Sequence, residues 1–156
     1  MKYFSVNEFN TFCFHDAWII NIYQLGTDLV AELAAMCVST QNSQNHEETD
    51  MQIESAMVKF SDFSMISARI YGYTITYPDK SVEVVEDRAV PPGEFATLIG
   101  LLKEGWVKDS TLTDNLYGLN LFIGEKLNDL YDITFSASAF TVAWDEYSGP
   151  AWYMRK

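Results

Sequence analysis

Tyr131, Ile133 and Phe135 alternate with Asp132, Thr134 and Ser136. Successive side chains of a strand point to opposite faces, so this spacing sets an apolar row against one side of a sheet and a polar row on the other. The same period of two recurs at Tyr73, Ile75 and Tyr77, at Tyr117, Leu119, Leu121 and Ile123, and at Phe140, Val142 and Trp144. A chain patterned this way folds as antiparallel sheet.

Strands are expected over residues 18–25, 28–38, 51–60, 65–77, 82–85, 114–125, 129–136 and 139–147. Residues 28–38 read two ways. Leu29, Leu33 and Met36 fall at helical spacing, while the preceding strand and the Gly26-Thr27 turn favour a hairpin. The strand reading is taken, with helix as the alternative. One helix is expected over 94–104, where Phe95, Leu98, Ile99 and Leu102 recur at i, i+3, i+4 and i+7 after Pro91-Pro92-Gly93. Glu94 suits its positive end, Lys103 the other, and Gly105 stops it. The expected fold is mainly β (α+β), an antiparallel β-sheet or sandwich of about eight strands with one helix near 94–104. Residues 1–156 form a single domain on this reading. A polar segment, 39–50, reads as a mobile acidic loop, and 148–156 as an irregular tail containing Gly149-Pro150.

Charge sets the expected partners. There are 22 Asp and Glu against ten Lys and Arg, for a net charge of −12. That balance lacks the basic footprint of a phosphate-backbone binder and disfavours an anionic membrane surface. It attracts a basic protein partner or divalent cations, or serves solubility alone. The stretch Met1 to Glu8 has no apolar core of a signal peptide, and no segment has the uncharged apolar length of a membrane span. Cytoplasmic localisation is the expectation.

Phe14-His15-Asp16-Ala17-Trp18-Ile19, followed by strand, turn and strand, resembles the opening F-H-D-x-x-I of a loose group of small uncharacterised bacterial proteins. Some members of that group are polymorphic-toxin immunity proteins. Val58-Lys59-Phe60-Ser61-Asp62-Phe63 resembles a later strand of the group. The resemblance implies a β-rich fold and strand for residues 28–38.

Few residues here could carry chemistry. His15 and Asp16 are candidates for a general base or metal ligand. In a strand they would point to opposite faces and could not act together. The other reading has His15 packed beside aromatic rings with a carbonyl bond, and Asp16 accepting backbone amides. His46, Glu47, Glu48 and Asp50 read as a solvated acidic run or an oxygen-rich cation site, without the spacing of an EF-hand. If the hairpin turns at Gly26-Thr27, Cys13 lies opposite Thr40 and Cys37 opposite Asp16. Both are then expected as buried free thiols, too far apart for a disulfide. No Gly-rich phosphate loop, Cys-x-x-Cys or His-Glu-x-x-His occurs.

The leading functional expectation is a non-catalytic interaction protein, an immunity-type inhibitor of a basic toxin. Its steering surface is placed at Glu47, Glu48, Asp50 and Glu54, and exposed aromatics serve as anchors. The alternative is a small-ligand- or metal-binding enzyme centred on His15 and Asp16. No catalytic residue, metal or cofactor is assigned, and no oligomeric state follows from the sequence.

Overall fold

The computed structural model describes residues 1–123 and 129–155. In chain order the described strands are β1 (Tyr3–Val6), β2 (Phe12–Cys13), β3 (Trp18–Leu25), β4 (Asp28–Ala34), β5 (Cys37–Val38), β6 (Met51–Ile53), β7 (Ser55–Ser61) and β8 (Ser64–Ile70). They continue as β9 (Tyr73–Thr76), β10 (Val82–Val85), β11 (Arg88–Ala89), β12 (Trp106–Thr113), β13 (Leu116–Ile123), β14 (Asp129–Ser136), β15 (Ala139–Trp144) and β16 (Tyr147–Pro150). Among the described residues a single α-helix, α1 (Phe95–Leu101), lies between β11 and β12. The fold is therefore mainly β, antiparallel and with one helix, as the alternation implies. Several expected strands are divided into shorter pieces.

Ten strands form one sheet in the order β1-β15-β7-β4-β3-β12-β13-β14-β8-β11. β3 and β12 pair at Trp18 and Trp106, and there the sheet divides into two leaves that face each other. Phe60 of β7 meets Phe135 and Tyr117 of the opposite leaf at ring-centroid distances of 4.8 and 5.1 Å. Both contacts are edge-to-face, the arrangement that aligns ring edges with ring faces. Phe140, fully buried on β15, joins this cluster through Phe9 at 5.1 Å and Phe60 at 5.3 Å. A smaller sheet, β16-β6-β5-β2, covers one end of the core, where Phe12 meets Trp144 edge-on at 5.9 Å.

The β3–β4 hairpin turns at Gly26 as expected, and the expected strand over 28–38 is two strands, β4 and β5, with no helix between them. Ala35, at φ 64°, separates β4 from β5. Residues 65–77 are two strands, interrupted at Tyr71-Gly72, where the β8–β11 pair runs on in the same register into the β9–β10 hairpin. A Cβ on Gly72 would stand 1.9 Å from the Val85 carbonyl oxygen, so only glycine permits the crossing. The β9–β10 hairpin beyond it is exposed along its whole length. Its Tyr/Thr alternation reports strand propensity and does not mark a half-buried sheet.

β12 has no counterpart among the strands read from the sequence. Its Lys108-Asp109-Ser110 stretch is polar, and a bulge between Val107 and Asp109 breaks the period of two. The hairpin signal is Asp114-Asn115, with φ of 52° and 63°, the two positive values of a type I′ turn. The expected strand end at Glu125 lies outside the described residues.

α1 is shorter than 94–104. A 3-10 turn (Pro92–Glu94) leads into it. Leu98, Ile99 and Leu102 are buried as the apolar spacing requires. After Leu102 the backbone leaves the helix to bond β3, with the Ile19 amide donating to the Gly105 carbonyl at 2.9 Å. The tail is also regular. β16 pairs with β6, and a 3-10 turn (Trp152–Met154) follows it.

Candidate functional site

His15 and Asp16 occupy a turn. The Ala17 amide donates to the Phe14 carbonyl at 2.9 Å, and Asp16 takes φ 64°. Phe14 and Ala17 on either side are buried, which leaves the two polar residues exposed at the turn's apex. Because the chain is turned here, neighbouring side chains are not held on opposite faces. His15 Nε2 lies 3.6 Å from Asp16 Oδ2. The expectation that the two could not meet is corrected.

His15 Nδ1 is 2.6 Å from the Lys108 carbonyl oxygen. A carbonyl only accepts, so Nδ1 carries the proton and donates. The Trp152 ring lies 6.1 Å from the imidazole. The turn is fixed to β12 from both sides, as the Asp16 amide donates to the Val107 carbonyl and the Val107 amide to Ala17, each at 2.9 Å. His15 thus has one nitrogen bound to backbone and the other facing a carboxylate in solvent. No nucleophile completes a triad with it in these contacts. Among the described residues, no group of three His, Cys, Asp or Glu is placed to hold a metal ion.

Residues 39–50, read from the sequence as a mobile loop, are tied down by side-chain bonds. Asn42 and Asn45 are buried. Asn42 Nδ2 donates to Ser5 Oγ at 3.0 Å and to Thr11 Oγ1 at 2.7 Å. Asn45 Nδ2 donates to the Thr49 carbonyl at 3.1 Å. Glu8 holds Ser43 through both its amide and its hydroxyl, at 3.0 and 2.8 Å. Buried amides need such partners, and here they order the backbone around them.

The four expected steering carboxylates separate into different roles. Asp50 is half-buried and holds the fold, accepting from the Thr40 amide at 2.8 Å and from Tyr153 Oη at 3.0 Å. Glu47, Glu48 and Glu54 are exposed. Glu54 lines a depression of about 410 Å³ with Ser55, Asp145, Glu146 and Met1. Asp145 accepts the Lys2 backbone amide at 2.7 Å. Lys2 is held above the ordinary lysine value, by Tyr3 first and then by the negative charges of Glu47 and Glu146. Glu47, Glu54, Asp145 and Glu146 thus gather at one corner of the molecule, beside β1.

Asp145 and Glu146 were missed in the sequence because they are far along the chain from Glu54. Their nearness to Glu47 was not visible either. The legible signal was the Asp-Glu dipeptide between two aromatic residues, which reads as a polar turn. β16 pairing with β6 brings that turn to Glu54, whose amide donates to the Glu146 carbonyl at 3.4 Å.

Comparison with known proteins finds no matching family model, no similar curated sequence and no similar solved structure. No helix among the described residues is long and apolar enough to cross a membrane.

Proposed function

We propose that this chain is a non-catalytic interaction protein whose acidic corner receives a basic protein partner. The observation that carries the reading is the depression lined by Glu54, Asp145 and Glu146, with Glu47 close by. It is concave and anionic, and large enough to admit arginine or lysine side chains. A net charge of −12 would speed the encounter with a cationic surface by long-range attraction.

The edge of the main sheet adds a second element. β1 pairs with β15 on one side and ends the strand order on the other. Its outward residues Phe4 and Val6 are 56% and 47% exposed. An aromatic anchor beside a ring of charge is the common arrangement of an interface whose affinity rests on few residues. The finer reading, an immunity-type inhibitor of a basic toxin, rests on the Phe14-His15-Asp16 resemblance together with this charge.

The test is direct binding between the purified protein and a basic protein encoded beside its gene, measured by surface plasmon resonance at low and high salt. The expected result is an association rate that falls tenfold or more at high salt, since exposed charges are screened within about 10 Å at 0.1 M. The triple reversal Glu54→Lys, Asp145→Lys, Glu146→Lys should abolish the low-salt complex, and Phe4→Ala should raise the dissociation rate. No complex at either salt concentration, or equal binding by the reversed variant, rejects the acidic corner as the docking surface.

A further inference from the structure

We propose that Cys13 and Cys37 are a redox modification site, a dithiol that closes reversibly to a disulfide across β2 and β5. The two residues are register partners in an antiparallel pair. Both are free thiols in the structure. Directly opposed residues of such a pair project to the same face.

This pairing departs from the simple hairpin register. At the β3–β4 turn Leu25 opposes Asp28, and that register would put Cys13 opposite Thr40. A bulge between Ile19 and Asn21 shifts the pairing so that Trp18 opposes Ala34. The Phe14–Ala17 turn then takes up further residues on one arm. By β2 the register has moved until Cys13 meets Cys37. The expectation that the two sulfurs were too far apart is therefore corrected.

Geometry sets the character of the bond. The Ser39 amide donates to the Thr11 carbonyl at 2.8 Å, so Thr11 and Ser39 form a hydrogen-bonded pair. Two residues along, Cys13 and Cys37 belong to the same class of pair. Their Cα atoms are then about 5.5 Å apart, inside the window of about 4.4 to 6.8 Å that a disulfide needs. Cβ atoms at about 5 Å must close by roughly 1 Å, and strain of that kind makes a disulfide easier to reduce.

The surroundings assign each sulfur a part. Phe12 and Val38 face the core from the same two strands, so the cysteines face the other way, towards the C-terminal turn. Burial pushes the Cys37 thiol up to about 11, against a smaller lowering effect of the nearby Trp152 backbone. Cys13 is only partly covered. Cys13 is thus the sulfur that meets reagent first, and Cys37 the one that resolves.

The step balances with a low-molecular-weight disulfide as oxidant. Cys13 loses its proton to water, and its thiolate attacks one sulfur of the reagent. The reagent's S–S bond breaks, one thiolate leaves and takes up a proton, and a mixed disulfide remains on Cys13. The Cys37 sulfur then displaces the second reagent thiol, which leaves with the Cys37 proton. Two protein thiols lose two electrons, and one reagent disulfide becomes two thiols.

The test treats the folded protein with oxidised glutathione, followed by intact mass and non-reducing peptide mapping. The expected product is a monomer lighter by two hydrogens, with residues 13 and 37 in one crosslinked peptide pair. Excess reduced glutathione should restore alkylation at both. Cys37→Ala, or Cys37→Ser if the first does not fold, should stop at a glutathione adduct on Cys13. Both thiols still alkylatable, a lasting adduct on wild-type Cys13, crosslinked dimers, or a crosslink that resists reduced glutathione each overturns the proposal.

Discussion

The Tyr153 hydroxyl donates to Asp50 Oδ2 at 3.0 Å, and so ties the last turn of the chain to the end of the acidic segment. Asp50 is held at two further points: Oδ1 accepts from the Thr40 amide and its carbonyl accepts from the Ala151 amide, each at 2.8 Å. Asp50 thus anchors the turn that covers Cys13 and Cys37, beside the Arg155 Nη2 bond to Gln52 Oε1 at 2.9 Å. Tyr153→Phe removes a single bond and leaves the ring. It should lower stability by about 0.5–1 kcal/mol, a partly exposed bond of ordinary strength. Urea denaturation measures this. Amide exchange at Ala151 should quicken as well, and unchanged exchange there would show that the turn is held by other contacts.

Burial raises the hydroxyls of Tyr117, Tyr131 and Tyr147 above the ordinary tyrosine value, and burial together with the Asp50 bond raises Tyr153 further. Unfolded tyrosine ionises near pH 10. With folded values higher, the unfolded chain gives up these protons first as pH rises. The stability they contribute is complete below about pH 10 and is lost as pH climbs through the folded values. Thermal unfolding followed by circular dichroism should show a midpoint that drops steeply above about pH 10. Phenolate absorbance from these four residues should appear with unfolding. Its full appearance while the far-ultraviolet signal stays native would contradict the prediction.

Glu8 behaves in the opposite sense. Burial pushes its carboxyl up, but hydrogen bonds from Ser5 Oγ and from the Ser43 amide and hydroxyl outweigh that and hold it below the ordinary glutamate value. A depressed folded value contributes stability that is present above the unfolded pKa and lost as pH falls through the folded one. Glu8→Gln keeps the shape and removes the charge. It should cost about 1 kcal/mol at neutral pH and flatten the decline of the melting temperature below about pH 4.5. An acid limb identical to that of the parent protein would mean that other carboxylates set it.

Phe140 is fully buried, with edge-to-face contacts to Phe9 at 5.1 Å and Phe12 at 5.9 Å. It stands where both leaves and the smaller sheet converge. Phe140→Ala should destabilise by about 3–5 kcal/mol through lost burial and an unfilled cavity. Phe140→Leu should cost clearly less, because most of the volume returns. Chemical denaturation of the pair of variants measures the difference. Equal losses would mean that the ring edges, and not the filled volume, carry the contribution.

Much of the fold is legible because the physics is local. The alternation through Tyr131, Ile133 and Phe135 marks β14 at its observed bounds, and the spacing of Leu98, Ile99 and Leu102 marks the buried face of α1. β12 was hidden because its bulge and polar residues remove the period of two. Residues 65–77 looked continuous because a glycine crossing is a contact with Val85, thirteen positions further on than Gly72. The acidic corner was half legible. Glu47 and Glu54 were named from composition, and Asp145 and Glu146 were not, since β16 and β6 are joined by pairing and not by sequence.

By itself, the sequence determined that this chain is an acidic, antiparallel, mainly β protein with one helix, because strand alternation, helical spacing and net charge are properties of neighbours and sums. Only the tertiary structure decided which residues meet. A bulge at β3 and the turn at His15 and Asp16 move a register, and two thiols expected to be far apart become partners. Register propagates every local irregularity along a pair of strands, so an extra residue on one arm changes every facing side chain beyond it. The pairing of Cys13 with Cys37 is a consequence of that propagation, while the approach of Glu54 to Asp145 and Glu146 continues the unbroken register of β7 with β15.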